Sequence, residues 1–439
     1  MSNQENLTYV VQPGGRLSGN IRVPGDKSIS HRTIMLGSLA EGVTTVSGFL
    51  EGEDALATLA VFRAMGVTID GPNNGNLIIH GVGMHGLKAP EKTLNVGNSG
   101  TSIRLLSGLL SGQSFTVTME GDASLAKRPM QRVTEPLMAM GARIQSKEGK
   151  PPLTIHGGHQ LNGINYTLPM ASAQVKSCLL LAGMYASGET CITEPAPTRD
   201  HTERMLNGMG YPVSVEANQI RIQGGGKLYA INIDVPADIS SATFFMVGAA
   251  ITPGSDVTLE HVGMNPTRTG VITILQQMGA EITIQNERLT GGEPVADIRV
   301  RYQPLTGIHI PEDQVPLAID EFPALFIAAA SADGETVLTG AEELRVKESD
   351  RIQVMADGLQ ALGITAIPTA DGMKIHGGKF AGGVVDSHGD HRIAMSFAMA
   401  ALIANDTIII NDCANVATSF PGFVTLAKAA GVRIESTNG

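Results

Sequence analysis

Six stretches of this sequence set charged or hydrogen-bonding residues directly before an apolar run: GDKSISHR, GNSGTSIR, ASAQVKS, ADISSA, AIDEFPA and HGDHRIA. Apolar runs of that length and small-residue content read as buried helices, and a helix start offers unpaired N–H groups and a positive dipole end that favour phosphate and carboxylate. Five of the six starts add side chains that hold anions or move protons. Each has an ordinary local explanation. Ser28 can cap a helix beside solvated Lys27, His31 and Arg32, and Asn98-Ser99-Gly100-Thr101 can be a capped turn with Arg104 one turn on. The RVKESDR run, from Arg345 to Arg351, reads locally as a solvated charged face; Asp320-Glu321 matches a helix dipole, and Asp390-His391-Arg392 reads as a cap beside a surface pair. Taken together they say more. One structural position, repeated in both halves, carries Lys27, Arg32 and Asn98 in one half and Asp320 and Arg392 in the other. A cleft between two such halves gathers cations and carboxylates, and the chemistry it suits is a cofactor-free transfer between small anions.

The elements that must position these residues repeat as well. Six amphipathic segments end in a glycine followed by a β-rich run, at Gly66, Gly141, Gly210, Gly279, Gly363 and Gly431. Glycine directly after a helix suits a left-handed cap that turns the chain into a strand. Each repeat therefore reads β-α-β-α-β-β, with a buried helix first and an amphipathic helix second. Six such units make two domains of three, divided near residue 240. A solenoid of six equal repeats is the simpler alternative, but no capping repeat is evident and the polar clusters differ from unit to unit.

Composition narrows the classes. With 439 residues the chain is long for one core, and the excess of 42 acidic over 31 basic residues disfavours a broad nucleic-acid-binding face. Aromatics at 4% leave little for base stacking. Cys178, Cys191 and Cys413 form no paired or CxxC pattern, so a reducing compartment and no disulfide are expected. No signal-like start and no run long enough to span a bilayer is seen, which predicts a soluble, cytoplasmic protein. No HExxH, Walker loop or strand-flanked GxGxxG occurs, leaving zinc, nucleotide and dinucleotide chemistry without support.

The motifs VPGDKSISHR, GNSGTSIRLLSGLL, RPM, SAQVKS, IDEFPALF, LRVKESDR, GDHRIAM and ATSFPGF, in this order along essentially the whole chain, resemble the 5-enolpyruvylshikimate-3-phosphate synthase family of enolpyruvyl transferases. The resemblance implies a two-domain α/β fold, the inverse α/β prism, with six β-α-β-α-β-β repeats and the buried helices inside each domain. Residues 25–240 would form one domain, and 1–24 with 241–439 the second, with the active site in the cleft between them. It implies transfer of the enolpyruvyl group of phosphoenolpyruvate to the 5-hydroxyl of shikimate-3-phosphate. The hydroxyl adds to C2 with protonation at C3, and phosphate leaves from a tetrahedral intermediate. No metal, organic cofactor, nucleic acid or membrane takes part, and a monomer is the family expectation.

Carried over by motif, shikimate-3-phosphate would be bound by Lys27, Ser28, Arg32, Ser172, Ala173, Gln174, Arg199, Asp320 and Lys347. Phosphoenolpyruvate would be bound by Lys27, Asn98, Gly100, Arg128, Gln174, Arg351, Asp390 and Arg392. Asp320 is then the base, Glu348 the proton donor to C3, and Lys27 assists. Ala173, Leu105 and Thr418 stand where one branch of the family has serine, proline and lysine. Arg199-Asp200-His201-Thr202-Glu203 is similar to the other branch, in which the arginine helps hold the shikimate phosphate. The UDP-N-acetylglucosamine enolpyruvyl transferases share fold and reaction type but commonly use a loop cysteine as acid, and TVTMEGDASLAKR, up to Arg128, has none. A catalytically silent anion-binding protein on the same scaffold is the rival of a different class.

Overall fold

The computed structural model describes residues 7–290 and 292–438. Among them are twelve α-helices in alternating kinds. The first kind comprises α1 (Lys27–Leu39), α3 (Gly100–Ser111), α5 (Ala173–Gly183), α7 (Ile239–Ile251), α9 (Phe322–Ser331) and α11 (His391–Ala400). These are buried almost throughout, α7 at every residue. Small residues let them approach closely: a Cβ at Gly108 of α3 would overlap the Cys178 carbonyl of α5. The second kind comprises α2 (Glu53–Ala64), α4 (Gln131–Ala139), α6 (His201–Gly208), α8 (Gly270–Gln277), α10 (Arg351–Ala361) and α12 (Phe423–Ala430), each with one exposed face.

All six second-kind helices stop at the glycines expected from the sequence, with φ from +82° at Gly210 to +114° at Gly431. At Gly66 the amide donates to Arg63 O and the next amide, of Val67, to Phe62 O. The same pair recurs at Gly141, Gly210, Gly279 and Gly363, and it satisfies carbonyls that the helix end would otherwise leave open.

The chain folds into two compact units. One contains Gly25–Val235 together with Thr290, Gly292 and Glu293; the other contains 7–24, Pro236–Leu289 and 294–438. The division thus falls at Val235/Pro236 rather than at residue 240. Ala237 donates to His261 O, Asp238 donates to Pro24 O, and both ties draw this segment into the second unit. Residues 1–6 of the segment 1–24 expected to join the second domain lie outside the described residues.

Within the first unit are three four-stranded sheets: 232–234/43–47/76–80/68–73, 94–95/117–120/150–156/143–147 and 165–167/189–193/219–223/213–216. In each, the first pairing is parallel and the others are antiparallel. The second unit has the sheet 18–21/256–263/293–301/281–290, apart from Thr290 and Glu293 at the tip of its last hairpin, a three-stranded sheet 335–338/373–376/365–368, and the sheet 383–386/408–411/7–15/432–438. Residues 7–15 lie between the two strands nearest the C-terminus, antiparallel to both. Each unit packs its sheets around its own three buried helices as a separate core.

Candidate active site

In the first unit the starts of α1, α3 and α5 carry most of the expected cations. Asp26, not Ser28, caps α1: its carboxylate accepts from the Ile29 amide at 2.8 Å. Ser28 is therefore the second residue of the helix, with its hydroxyl not needed for capping. Lys27 forms an ion pair with Asp54 of α2. His31 is fully buried against Thr58 (2.8 Å), which in turn meets Ser102 of α3 at 2.6 Å, so this chain of hydroxyls fixes α1 relative to α3. Burial first, then the charges of Lys27 and Arg32, hold the His31 pKa well below its ordinary value, so its imidazole is neutral.

Arg32 is no solvated surface charge. Its guanidinium donates to Thr202 Oγ1 (2.6 Å), Ser177 Oγ (2.8 Å) and the Ser28 carbonyl (2.9 Å). Burial lowers its pKa to about 10, opposed by Glu203 and Asp26 and reinforced by nearby Arg199. Ser172 caps α5 and accepts from Val175 N at 3.4 Å; Ala173 is the first helical residue, and Gln174 follows. Gln174 donates to Thr101 Oγ1 (3.1 Å) and accepts from Arg104.

Ser99 caps α3, so Gly100 sits at its first position. Arg128 reaches Asn98 Oδ1 at 2.7 Å, and Asn98 donates to Asp122 at 2.6 Å. A Cβ on Gly100 would stand 3.0 Å from Arg128 Nη1 and 3.1 Å from Arg104 Nη1. Gly100 is thus a bare backbone site flanked by two guanidiniums, suited to an anion approaching the helix start. Asn98, Gly100, Arg128 and Gln174 form one contiguous group, and Ser28, Arg32 and Arg199 form another. Lys27 shares α1 with the second group and contacts Asp54.

In the second unit Arg351, the first residue of α10, is the centre of the other group. Its side chain is 1% exposed and donates to Asp390 (2.8 Å), Glu348 (2.7 Å) and Asp320 (3.3 Å). This corrects the reading of RVKESDR as a solvated face and of Asp390-His391-Arg392 as a surface pair, since Asp390 is 0% exposed. The reason is long-range: α9, α10 and α11 begin side by side, so carboxylates 31 and 39 positions from Arg351 meet it. Burial works against the charged guanidinium, but Asp390, Glu348 and Asp320 outweigh it and raise the Arg351 pKa above the ordinary arginine value.

Asp320 also meets Lys347 at 3.4 Å, and Lys347 pairs with Glu343 at 2.7 Å. Arg392 donates to the Asp320 carbonyl at 3.2 Å. All six expected residues of this unit, Asp320, Lys347, Glu348, Arg351, Asp390 and Arg392, therefore join one network. Thr418 turns its hydroxyl to Asn415 O at 2.7 Å. Glu321 accepts from Ser240 and lies 3.8 Å from buried Arg268, which pairs with Asp238 at 2.9 Å.

Sequence reasoning left four participants unassigned: Asp54 behind Lys27, Thr202 and Ser177 behind Arg32, and Arg104 beside Gly100. Only Arg104 had a local signal, its place one turn into α3. The rest are met through tertiary contacts.

Comparison with known proteins follows the same lines. The family model for EPSP synthase (3-phosphoshikimate 1-carboxyvinyltransferase) matches residues 11–426. A 3-phosphoshikimate 1-carboxyvinyltransferase of Methylococcus capsulatus is 70% identical over 434 residues, 99% of each chain. That of Nitrosococcus oceani is 67% identical, covering 98% of each. A solved structure of EPSP synthase from Acinetobacter baumannii superposes with a TM-score of 0.90 at 63% identity, covering 98% of this chain and 100% of its own. With the family model spanning nearly its whole length and such close relatives aligned end to end, this chain belongs to the EPSP synthase family, the 3-phosphoshikimate 1-carboxyvinyltransferases of the shikimate pathway.

Proposed function

We propose that the two clusters act on one pair of substrates, phosphoenolpyruvate and shikimate-3-phosphate, and transfer the 1-carboxyvinyl group to the 5-hydroxyl with release of phosphate. The observation that carries this reading is the Asp320–Arg351–Asp390–Glu348 network, which sets carboxylates and a permanent cation within hydrogen-bond reach of one another. The fold is read as an inverse α/β prism of six β-α-β-α-β-β repeats, three per unit. The protein acts as a cytoplasmic monomer with no cofactor.

In this reading the first unit recognises anions. Arg32, Arg199, Ser28, Ser172, Ala173 and Gln174 hold shikimate-3-phosphate with Lys27, joined by Lys347 and Asp320 from the second unit. Arg128, Asn98 and the Gly100 amide hold phosphoenolpyruvate together with Lys27, Gln174, Arg351, Asp390 and Arg392. Arginine forks match phosphate and carboxylate bidentately.

Asp320 takes the proton of the 5-hydroxyl as its oxygen bonds to C2, while Glu348 with Lys27 delivers a proton to C3. Collapse of the tetrahedral adduct expels phosphate, and removal of a C3 proton restores the vinyl group. In the state described here Glu348 accepts from Arg351 at 2.7 Å. Donation therefore requires that Glu348 take up a proton as substrate anions engage Arg351, which exclusion of water favours.

The test is phosphate release from phosphoenolpyruvate with shikimate-3-phosphate, run beside UDP-N-acetylglucosamine and after chelator treatment. Release that needs shikimate-3-phosphate and survives chelation supports the reading, whereas release only with the sugar nucleotide, or none, overturns it. Asp320→Ala is expected to lower kcat by about 10²- to 10⁴-fold, the usual contribution of a general base, while substrate binding is largely retained. Unimpaired turnover would remove Asp320 from the mechanism.

A further inference from the structure

We infer that Lys176 is a positioning residue for the shikimate-3-phosphate site, clamping the segment that carries Arg199 and Thr202 onto α5. Lys176 is almost completely buried, with its side chain 1% exposed. An ammonium group taken out of water is costly unless all of its donors are met. Here they are met by one segment of chain: Glu203 at 2.8 Å, Glu194 at 3.2 Å, and the Thr198 carbonyl at 3.4 Å. Glu194 also accepts from Thr198 Oγ1 at 2.7 Å. The lysine thus grips both ends of the stretch from Glu194 to Glu203 and its middle, at the carbonyl directly before Arg199.

Both faces of this clamp bear on anion binding. Lys176 lies two residues after Gln174 on α5, and its neighbour Ser177 shares a hydrogen-bond triangle with Thr202 (2.7 Å) and Arg32 (2.8 Å). Glu203, one residue beyond Thr202, is felt electrostatically by Arg32. The charge of Arg199 also reaches Arg32 and helps lower its pKa, so the two guanidiniums lie in one neighbourhood. The tie from Lys176 to the Thr198 carbonyl fixes the backbone that carries Arg199 relative to α5. A buried ion pair that served packing alone gains little over an apolar pair of the same volume, so the arrangement is better explained by placement than by stability.

The inference rests on assigning shikimate-3-phosphate to Arg32 and Arg199, so the experiment includes Arg199→Ala as a benchmark. Steady-state kinetics with each substrate varied, together with thermal melting, are measured for Lys176→Met and Glu203→Gln. The second variant keeps the shape of the site while weakening the clamp, should the first fail to fold. Losing the clamp misplaces Arg199 and Arg32, and displacement of about 1 Å at a binding group costs on the order of 10²-fold. Lys176→Met is therefore expected to raise KM for shikimate-3-phosphate by about 10- to 100-fold, and Glu203→Gln by a smaller factor, with KM for phosphoenolpyruvate changed less than about threefold in either. If Arg199→Ala raises that KM and a folded Lys176 or Glu203 variant does not, the inference is wrong. Equal rises in both KM values would also overturn it, because they mark a general structural loss. An Arg199→Ala enzyme with unchanged KM would instead overturn the assignment on which it rests.

Discussion

Gly100→Ala separates binding geometry from fold stability. The added methyl would stand 3.0 Å from Arg128 Nη1 and 3.1 Å from Arg104 Nη1. Each nitrogen must withdraw by roughly 0.3–0.4 Å to regain ordinary van der Waals spacing. Arg128 is tied to Asn98 through its other nitrogen, Nη2, at 2.7 Å, whereas Arg104 Nη1 itself donates to Gln174 and must shift with it. Gly100 has no left-handed backbone and opens α3, where alanine is an equal or better helix former by up to about 1 kcal/mol. If about 1 Å of misplacement costs on the order of 10²-fold, shifts of this size raise KM for phosphoenolpyruvate by roughly 4- to 6-fold. The assay is phosphate release with shikimate-3-phosphate saturating and phosphoenolpyruvate varied, beside a thermal melt. The expected pattern is a higher KM for phosphoenolpyruvate, a smaller change for shikimate-3-phosphate, and an equal or higher Tm. An unchanged KM for phosphoenolpyruvate would refute the placement of that substrate against Gly100, and a lowered Tm would refute the claim that the arginines yield freely.

Two further outcomes follow from buried charge. His31 is held neutral in the folded protein, its pKa below 6.5, so the unfolded chain takes up a proton that the folded one does not. The sign follows directly: stability is fully present above about pH 6.5 and falls below it, by at most about 1.4 kcal/mol per pH unit for this one group. Denaturant titrations between pH 7 and 5 should show a shallower acid loss for His31→Asn than for the parent, and parallel curves would remove His31 as a cause. Asp390→Ala leaves Arg351 buried with two of its three carboxylates. A loss of about 3 kcal/mol is expected from chemical denaturation, near the low end for breaking a buried pair, and a change below about 1 kcal/mol would show that water or rearrangement compensates.

The relation between sequence and structure can be judged residue by residue. The glycines from Gly66 to Gly431 were legible because a left-handed cap is a local matter, decided by the helix before it and the one residue type that adopts positive φ without strain. The six buried helices were legible for a similar reason, since an apolar circumference can be satisfied only inside a unit. The capping of α1 by Asp26 in place of Ser28 was misread because two adequate caps lie close together and only the backbone path selects one.

What the sequence alone determined, then, is the set of local elements, their repetition and, through eight separated motifs, the family. Tertiary structure decided which charges are buried and with whom. The Arg345–Arg351 run has the composition of a solvated face, yet Arg351 is enclosed by Asp320 and Asp390, residues from two other helix starts. Residues 7–15 pair with 408–411 and 432–438, a pairing no periodicity could signal. Caps and helix ends depend on neighbours within a turn of chain, whereas burial of a charge depends on distant segments arriving together to supply every missing hydrogen bond.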